Sequence, residues 1–148
     1  DQSAVFGGFG HGYTYGGHPV GAAIAVETLR IYDEMDIVGH VRDLAPLLQQ
    51  GLRSFAAHPL VGEARGIGLM GALEFVADKD TKAPFAPALR VGSRVADAIR
   101  SRGVLLRALG DTLVCAPPLI IEEAGISQII TAIQSSLDQV HGELAGGR

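Results

Sequence analysis

Gly10-His11-Gly12-Tyr13-Thr14-Tyr15-Gly16-Gly17-His18-Pro19 puts four glycines, two tyrosines, two histidines and a threonine into ten positions, and a helical pattern follows at once. Glycine lets backbone N–H groups come close to a ligand, and threonine offers a neutral hydroxyl donor. Pro19 suits the first turn of a helix, where its missing N–H would have no intrahelical partner. A helix start beside such a loop favours an anion. The local chemistry is that of an anion- or phosphate-holding loop. An ordinary glycine-rich connector with buried tyrosines has the same spacing, and the residues alone leave both readings open.

Working outward, residues 1–18 read as loop and residues 20–35 as helix, with Ile24, Thr28, Ile31 and Met35 on one stripe. Asp36 can cap a second helix over residues 37–57. Val41, Leu44, Leu48, Leu52 and Phe55 follow a buried helical face there, and Pro46 should kink it. Residues 68–76 alternate as a strand, with Leu69, Leu73 and Phe75 on one side and Met70, Glu74 and Val76 on the other. Residues 89–102 form a helix with Val91, Val95, Ala98 and Ile99 inward and Gly103 after its end. Residues 104–108 and 112–116 make a hairpin around Leu109-Gly110-Asp111, stopped by Pro117-Pro118. Residues 122–144 are amphipathic through Ile126, Ile130, Ile133, Leu137, Val140 and Leu144. The order helix, helix, strand, helix, hairpin, helix predicts an α+β fold: a small, mostly antiparallel sheet covered by helices.

Composition bounds the function. Apolar residues make up 47% of the 148-residue chain, ample for a core, and a domain of this size buries roughly 68–70% of its unfolded surface. A net charge of −4 with scattered arginines argues against a nucleic-acid partner. The single Cys115 fits a reducing compartment. No apolar run can span a bilayer and no signal sequence is visible, so the expected setting is cytoplasmic, without a membrane partner.

HGYTYGGHPV resembles the motif of class III (omega) aminotransferases, pyridoxal-phosphate enzymes of fold type I. VGEARGIGLMGALEFVADKDT and GVLLRALGDTLVCAPPLII resemble later segments of that family in the same order, so the likeness covers residues 9–137. It extends only to the family's C-terminal part, and implies a catalytic lysine upstream of residue 1. It further implies that residues 1–35 are the cofactor loop and connecting helix of a large domain, and residues 36–148 the small C-terminal domain. By resemblance, Thr14 holds the phosphate of pyridoxal phosphate across a homodimer, in the partner's site, and Tyr13 lines the same pocket. Packing alone is an equal reading of Tyr13. Arg107 matches the arginine that binds the substrate α-carboxylate and swings aside for substrates without one. A planar guanidinium suits bidentate carboxylate recognition. An arginine pointing to solvent from an edge strand is the alternative. The implied activity moves an amino group from an amine or omega-amino acid to a 2-oxo acid such as pyruvate. Without the lysine, the chain alone should be inactive.

Other signals carry less. Gly66-x-Gly68-x-x-Gly71 fits a dinucleotide fingerprint only on paper, because a strand pattern follows it where a helix is required. Cys115 reads as a small core residue, the five histidines show no ligand spacing, and Asp78 and Asp80 read as a solvated turn. Rival functions are an aminomutase or decarboxylase of the same fold, or a non-catalytic α+β module that binds a small carboxylate or a partner chain.

Overall fold

A computed structural model of the chain describes residues 12–146. They separate into two compact units, one ending at Ile37 and the other starting at Val38. In the first unit, α1 (Pro19–Glu34) begins on Pro19, with His18 in extended backbone before it. No residue of this helix is buried, and Val20, Ile24, Val26 and Leu29 all stand exposed. Arg30 ties the polar face together by pairing with Glu27 and Glu34. Asp36, expected to cap the next helix, stands directly before that helix, which starts at Ile37, and turns the chain after α1. It adopts a left-handed backbone with φ 46°, and its N–H donates to the Asp33 carbonyl at 3.2 Å. Short polar residues tolerate that conformation better than most.

The second unit holds a four-stranded antiparallel sheet and the remaining helices. α2 (Ile37–Ser54) runs through Pro46 and ends in a single 3-10 turn, Phe55–Ala57. The strand expected over residues 68–76 is in fact half of a hairpin. β1 (Val61–Ile67) and β2 (Met70–Phe75) pair from Ile67↔Met70, with Gly68 and Leu69 as the loop. β1 lacks strand propensity in sequence because glycine and charged residues dominate Gly62-Glu63-Ala64-Arg65-Gly66. After a 3-10 turn at Pro87–Leu89, α3 (Val91–Ser101) starts two residues later than the sequence suggests. β3 (Arg107–Leu109) and β4 (Thr112–Cys115) complete the sheet in the order β1-β2-β4-β3, and α4 (Glu123–Gly146) closes the chain.

The three helices of this unit share one face of the sheet. Leu48 and Leu52 of α2, Val95 and Ile99 of α3, and Ile126, Ile133 and Leu137 of α4 join Leu73, Phe75, Leu113 and Cys115 in one buried cluster. The opposite face is open. Directly paired residues point to the same side of a sheet. The register therefore places Arg65, Ala72, Val114 and Arg107 in one row across that face, beside a second row of Glu63, Glu74, Thr112 and Leu109. Met70 is 62% exposed there and Ile67 81%.

The glycine triplet has a packing explanation. Gly66 and Gly71 face each other across the hairpin. A Cβ on Gly71 would sit 2.3 Å from a methyl of Leu52, and one on Gly66 would sit 2.4 Å from the Met70 carbonyl oxygen. Gly68 takes the left-handed turn position with φ 56°. Gln49, buried in α2, fixes the turn by donating to the carbonyls of Gly68 and Met70, each at 2.9 Å.

Candidate functional site

The described part of the glycine-rich stretch is a turn over residues 14–17 that leads into α1. The Gly16 N–H donates to the Tyr13 carbonyl at 2.8 Å and the His18 N–H to the Tyr15 carbonyl at 3.0 Å. These bonds fold the chain tightly and turn Thr14 outward. Its side chain is exposed, as are Tyr13 and Tyr15, so the buried tyrosines of a plain connector are absent from this turn. Tyr15 meets His18 edge-on at 6.0 Å between ring centroids. Among the described residues the Thr14 hydroxyl and N–H make no hydrogen bond. The turn thus presents neutral donors with room around them. Gly10 and His11 lie outside the described residues.

Arg107 opens β3, an edge strand, and lies on the uncovered face of the sheet. Its neighbour Ala108 faces the core. The hairpin is tighter than the sequence suggests: Leu109 pairs with Thr112, which leaves Gly110 and Asp111 as a two-residue loop. Gly110 has φ 59°, at the first central position, where a type II′ turn wants glycine. Arg107 also borders an open cleft of about 540 Å³ between α3 and the chain entering β3, along with Arg90, Ser93, Asp97 and Arg100. Asp97 pairs with Arg100 at 3.5 Å. That leaves Arg90 and Arg107 with no carboxylate among the described residues. An unpaired, exposed guanidinium on a short strand is free to meet an incoming carboxylate.

What holds this hairpin was not readable as chemistry. The Asp111 carboxylate accepts the Gly92 N–H at 2.9 Å, at the start of α3, while its backbone carbonyl accepts the Phe75 N–H at 2.8 Å from the end of β2. A carboxylate is well placed on the first turn of a helix, where N–H groups lack partners. The sequence signals are an aspartate at a turn, which is common, and its place beside Ala108 and Gly110 in the pattern that resembles the family's around Arg107.

Thr14 and Tyr13 lie in the first unit and Arg107 in the second, each described within its own unit. Cys115 is buried in the core, and burial pushes its thiol up to about 11. His58 and His141 meet edge-on at 5.6 Å, with Asp138 3.5 Å from His58, a grouping that their spacing did not suggest. Burial lowers the pKa of His58 below the usual imidazole range, with Asp138 partly opposing. Asp78 accepts from the N–H and hydroxyl of Thr81, which closes a local turn and lowers its carboxyl pKa. Among the described residues, no helix is long and apolar enough to cross a membrane.

Comparison with known proteins gives this geometry a family. The family model for class-III aminotransferases matches residues 2–137. An aminotransferase of Sinorhizobium fredii is 45% identical over 147 residues, covering 97% of this chain and 32% of that protein. A putrescine–pyruvate aminotransferase of Pseudomonas aeruginosa is 44% identical over 134 residues, covering 90% of this chain and 29% of that protein. The PMP-bound crystal structure of an aminotransferase from Vibrio fluvialis superposes with a TM-score of 0.83 at 38% identity, over 95% of this chain and 31% of that one. The chain spans about a third of the length of the curated relatives it matches. It belongs to the class-III aminotransferase family.

Proposed function

We propose that this chain is the C-terminal part of a pyridoxal-phosphate-dependent omega-aminotransferase, moving an amino group from an amine or omega-amino acid to a 2-oxo acid such as pyruvate. Residues 1–35 are assigned to the cofactor loop and connecting helix, and residues 36–148 to the small domain. One observation carries the reading: an arginine with no carboxylate partner, on the open face of a sheet, within a class-III aminotransferase chain. The similar putrescine–pyruvate enzyme supports an amine and a 2-oxo acid as the substrate pair.

The turn at residues 14–17 fits a phosphate, since it offers an exposed hydroxyl and backbone N–H groups without an opposing carboxylate. Thr14 would hold the phosphate of pyridoxal phosphate, with Tyr13 lining the pocket, in the site of a homodimeric partner. Neutral donors position the phosphate and leave the pyridine ring's electronics to other groups. When bound, the cofactor supplies an electron sink for the pair released as the substrate C–H bond breaks. Arg107 orients the carboxylate of the 2-oxo acid, and its side chain turns away for an amine that has none. The lysine that moves the proton is assigned to sequence upstream, so the chain alone is proposed to be inactive, and the parent to be cytoplasmic.

The test uses the full-length parent. Removing one hydrogen bond to a charged group costs about 1.5–3 kcal/mol, so Thr14→Ala should raise the half-saturating cofactor concentration about tenfold or more. Arg107→Ala should depress kcat/KM for pyruvate and spare a carboxylate-free amine. Unchanged cofactor affinity together with unchanged pyruvate kinetics would sink the assignment.

A further inference from the structure

We propose that Asp111 is a positioning residue for Arg107, and so sets how well the site distinguishes substrates with a carboxylate from those without. The proposal rests on the reading of Arg107 given above and extends it to a residue that touches no substrate. β3 is three residues long, is the sheet's edge, and is laddered on one side only, to β4. Its placement therefore depends on what holds the hairpin tip. Asp111 grips that tip from two directions, through its carboxylate to the Gly92 N–H and through its carbonyl to the Phe75 N–H. The contact has no slack. A Cβ on Gly92 would lie 2.1 Å from the Gly110 carbonyl oxygen and 3.0 Å from the Asp111 Cα. The hairpin tip thus rests directly on the helix backbone. Releasing the carboxylate lets the tip lift, and β3 carries Arg107 at its other end. Carboxylate capture by a bidentate guanidinium is sensitive to such a shift, whereas the chemistry on the amine side does not use this strand.

The experiment uses the full-length holoenzyme and measures each half-reaction separately, one with a carboxylate-free primary amine and one with pyruvate. Calorimetric binding of propanoate, an unreactive carboxylate, reads the arginine without turnover. Asp111→Ala should weaken pyruvate kcat/KM and propanoate binding by about tenfold, through KM and not kcat, and leave the amine half-reaction within about twofold. Asp111→Asn keeps an acceptor but loses the charge at the helix start, an effect of about 0.3–1 kcal/mol, so its loss should be about two- to fivefold and equally confined. In the Arg107→Ala background neither substitution should weaken pyruvate further. Equal losses in both half-reactions overturn the proposal, as does a full Asp111 effect without Arg107. Should Asp111→Ala fail to fold, Asp111→Asn carries the same test, and an unchanged pyruvate response in it overturns the proposal too. If Arg107→Ala itself fails to separate the two half-reactions, the reading of Arg107 fails instead, and the two failures are told apart.

Discussion

Replacing Gly92 with alanine sets two known effects against each other, and the structure decides the sign. Glycine costs about 0.8–1 kcal/mol relative to alanine inside a helix, so propensity alone predicts a gain in stability. At this position, however, the new methyl would lie 2.1 Å from the Gly110 carbonyl oxygen and 3.0 Å from the Asp111 Cα. Both are backbone atoms that no rotamer change can move. Overpacking of this kind costs about 1–3 kcal/mol. Pushing the tip away also stretches the 2.9 Å bond from the Gly92 N–H to the Asp111 carboxylate, a charge-assisted bond that contributes about 1.5–3 kcal/mol. Subtracting the propensity gain leaves a net loss of about 1.5–5 kcal/mol. Gly142→Ala is the matched control, since that glycine lies in α4 and its new methyl would meet nothing within 4 Å. It should gain about 0.4–1 kcal/mol. Urea titration followed by far-UV circular dichroism measures both variants. Two results of the same sign, or a stabilised Gly92→Ala, would refute the claim that the hairpin tip is seated on the start of α3.

Three further outcomes follow from particular contacts. Gln49→Leu removes the donor to the carbonyls of Gly68 and Met70, which should cost about 0.5–1.5 kcal/mol per lost bond in the same urea assay. His58 has a folded-state pKa below its ordinary value of 6.5, chiefly through burial, while Asp138 opposes that shift and His141 and Lys79 reinforce it. The unfolded chain then binds the proton more readily, so stability is flat above that value and falls as pH drops through it toward the lower folded value. His58→Phe should flatten the fall, read by denaturant titrations at mildly alkaline and mildly acidic pH. Cys115, with its thiol pushed up to about 11, should resist a thiol reagent in the folded chain and react fully in guanidinium.

The elements legible in sequence are those whose residues carry a strong period. The apolar faces of α2, α3 and α4 could be read because Leu48, Leu52, Val95, Ile99, Ile133 and Leu137 repeat at helical spacing and are buried. β1 was hidden because its partner and its tip, not its own side chains, make it a strand. Its inward positions include Ala64 and Gly66, too small to write an alternating pattern. The start of α3 was misplaced for a similar reason. Arg90 takes a left-handed conformation with φ 47°, which breaks the helix after Leu89 without any sequence breaker. Thr14 and Arg107 stand out in sequence only through the company they keep, since a threonine in a loop and an arginine on a strand are ordinary alone. Asp111 enters the sequence reading only as part of the family pattern around Arg107, and its clamp is not legible there, because its partners, Gly92 and Phe75, are 19 and 36 residues away in a chain whose hairpin register the sequence does not give.

An arginine proposed to serve substrates both with and without a carboxylate needs a fixed root and a free head, and β3 separates the two. The root is held by the Val114 pairing, by the inward Ala108 and by the Asp111 clamp beyond Leu109. The head has no ion pair among the described residues, so turning it aside costs side-chain entropy and solvation and breaks no salt bridge. Had a neighbouring carboxylate held it, each swing would have to overcome an attraction of the order of 1 kcal/mol at an exposed site. Glu63 and Glu74, the carboxylates on the same sheet face, sit in the other cross-strand row, and Arg65 bonds to both. The strand order also keeps these acids away from Arg107, with Glu74 two strands and Glu63 three strands from β3. Arg65→Ala in the full-length parent should therefore leave pyruvate binding and the amine half-reaction within about twofold of the parent. A marked loss confined to pyruvate would show that the acids of this face do reach Arg107.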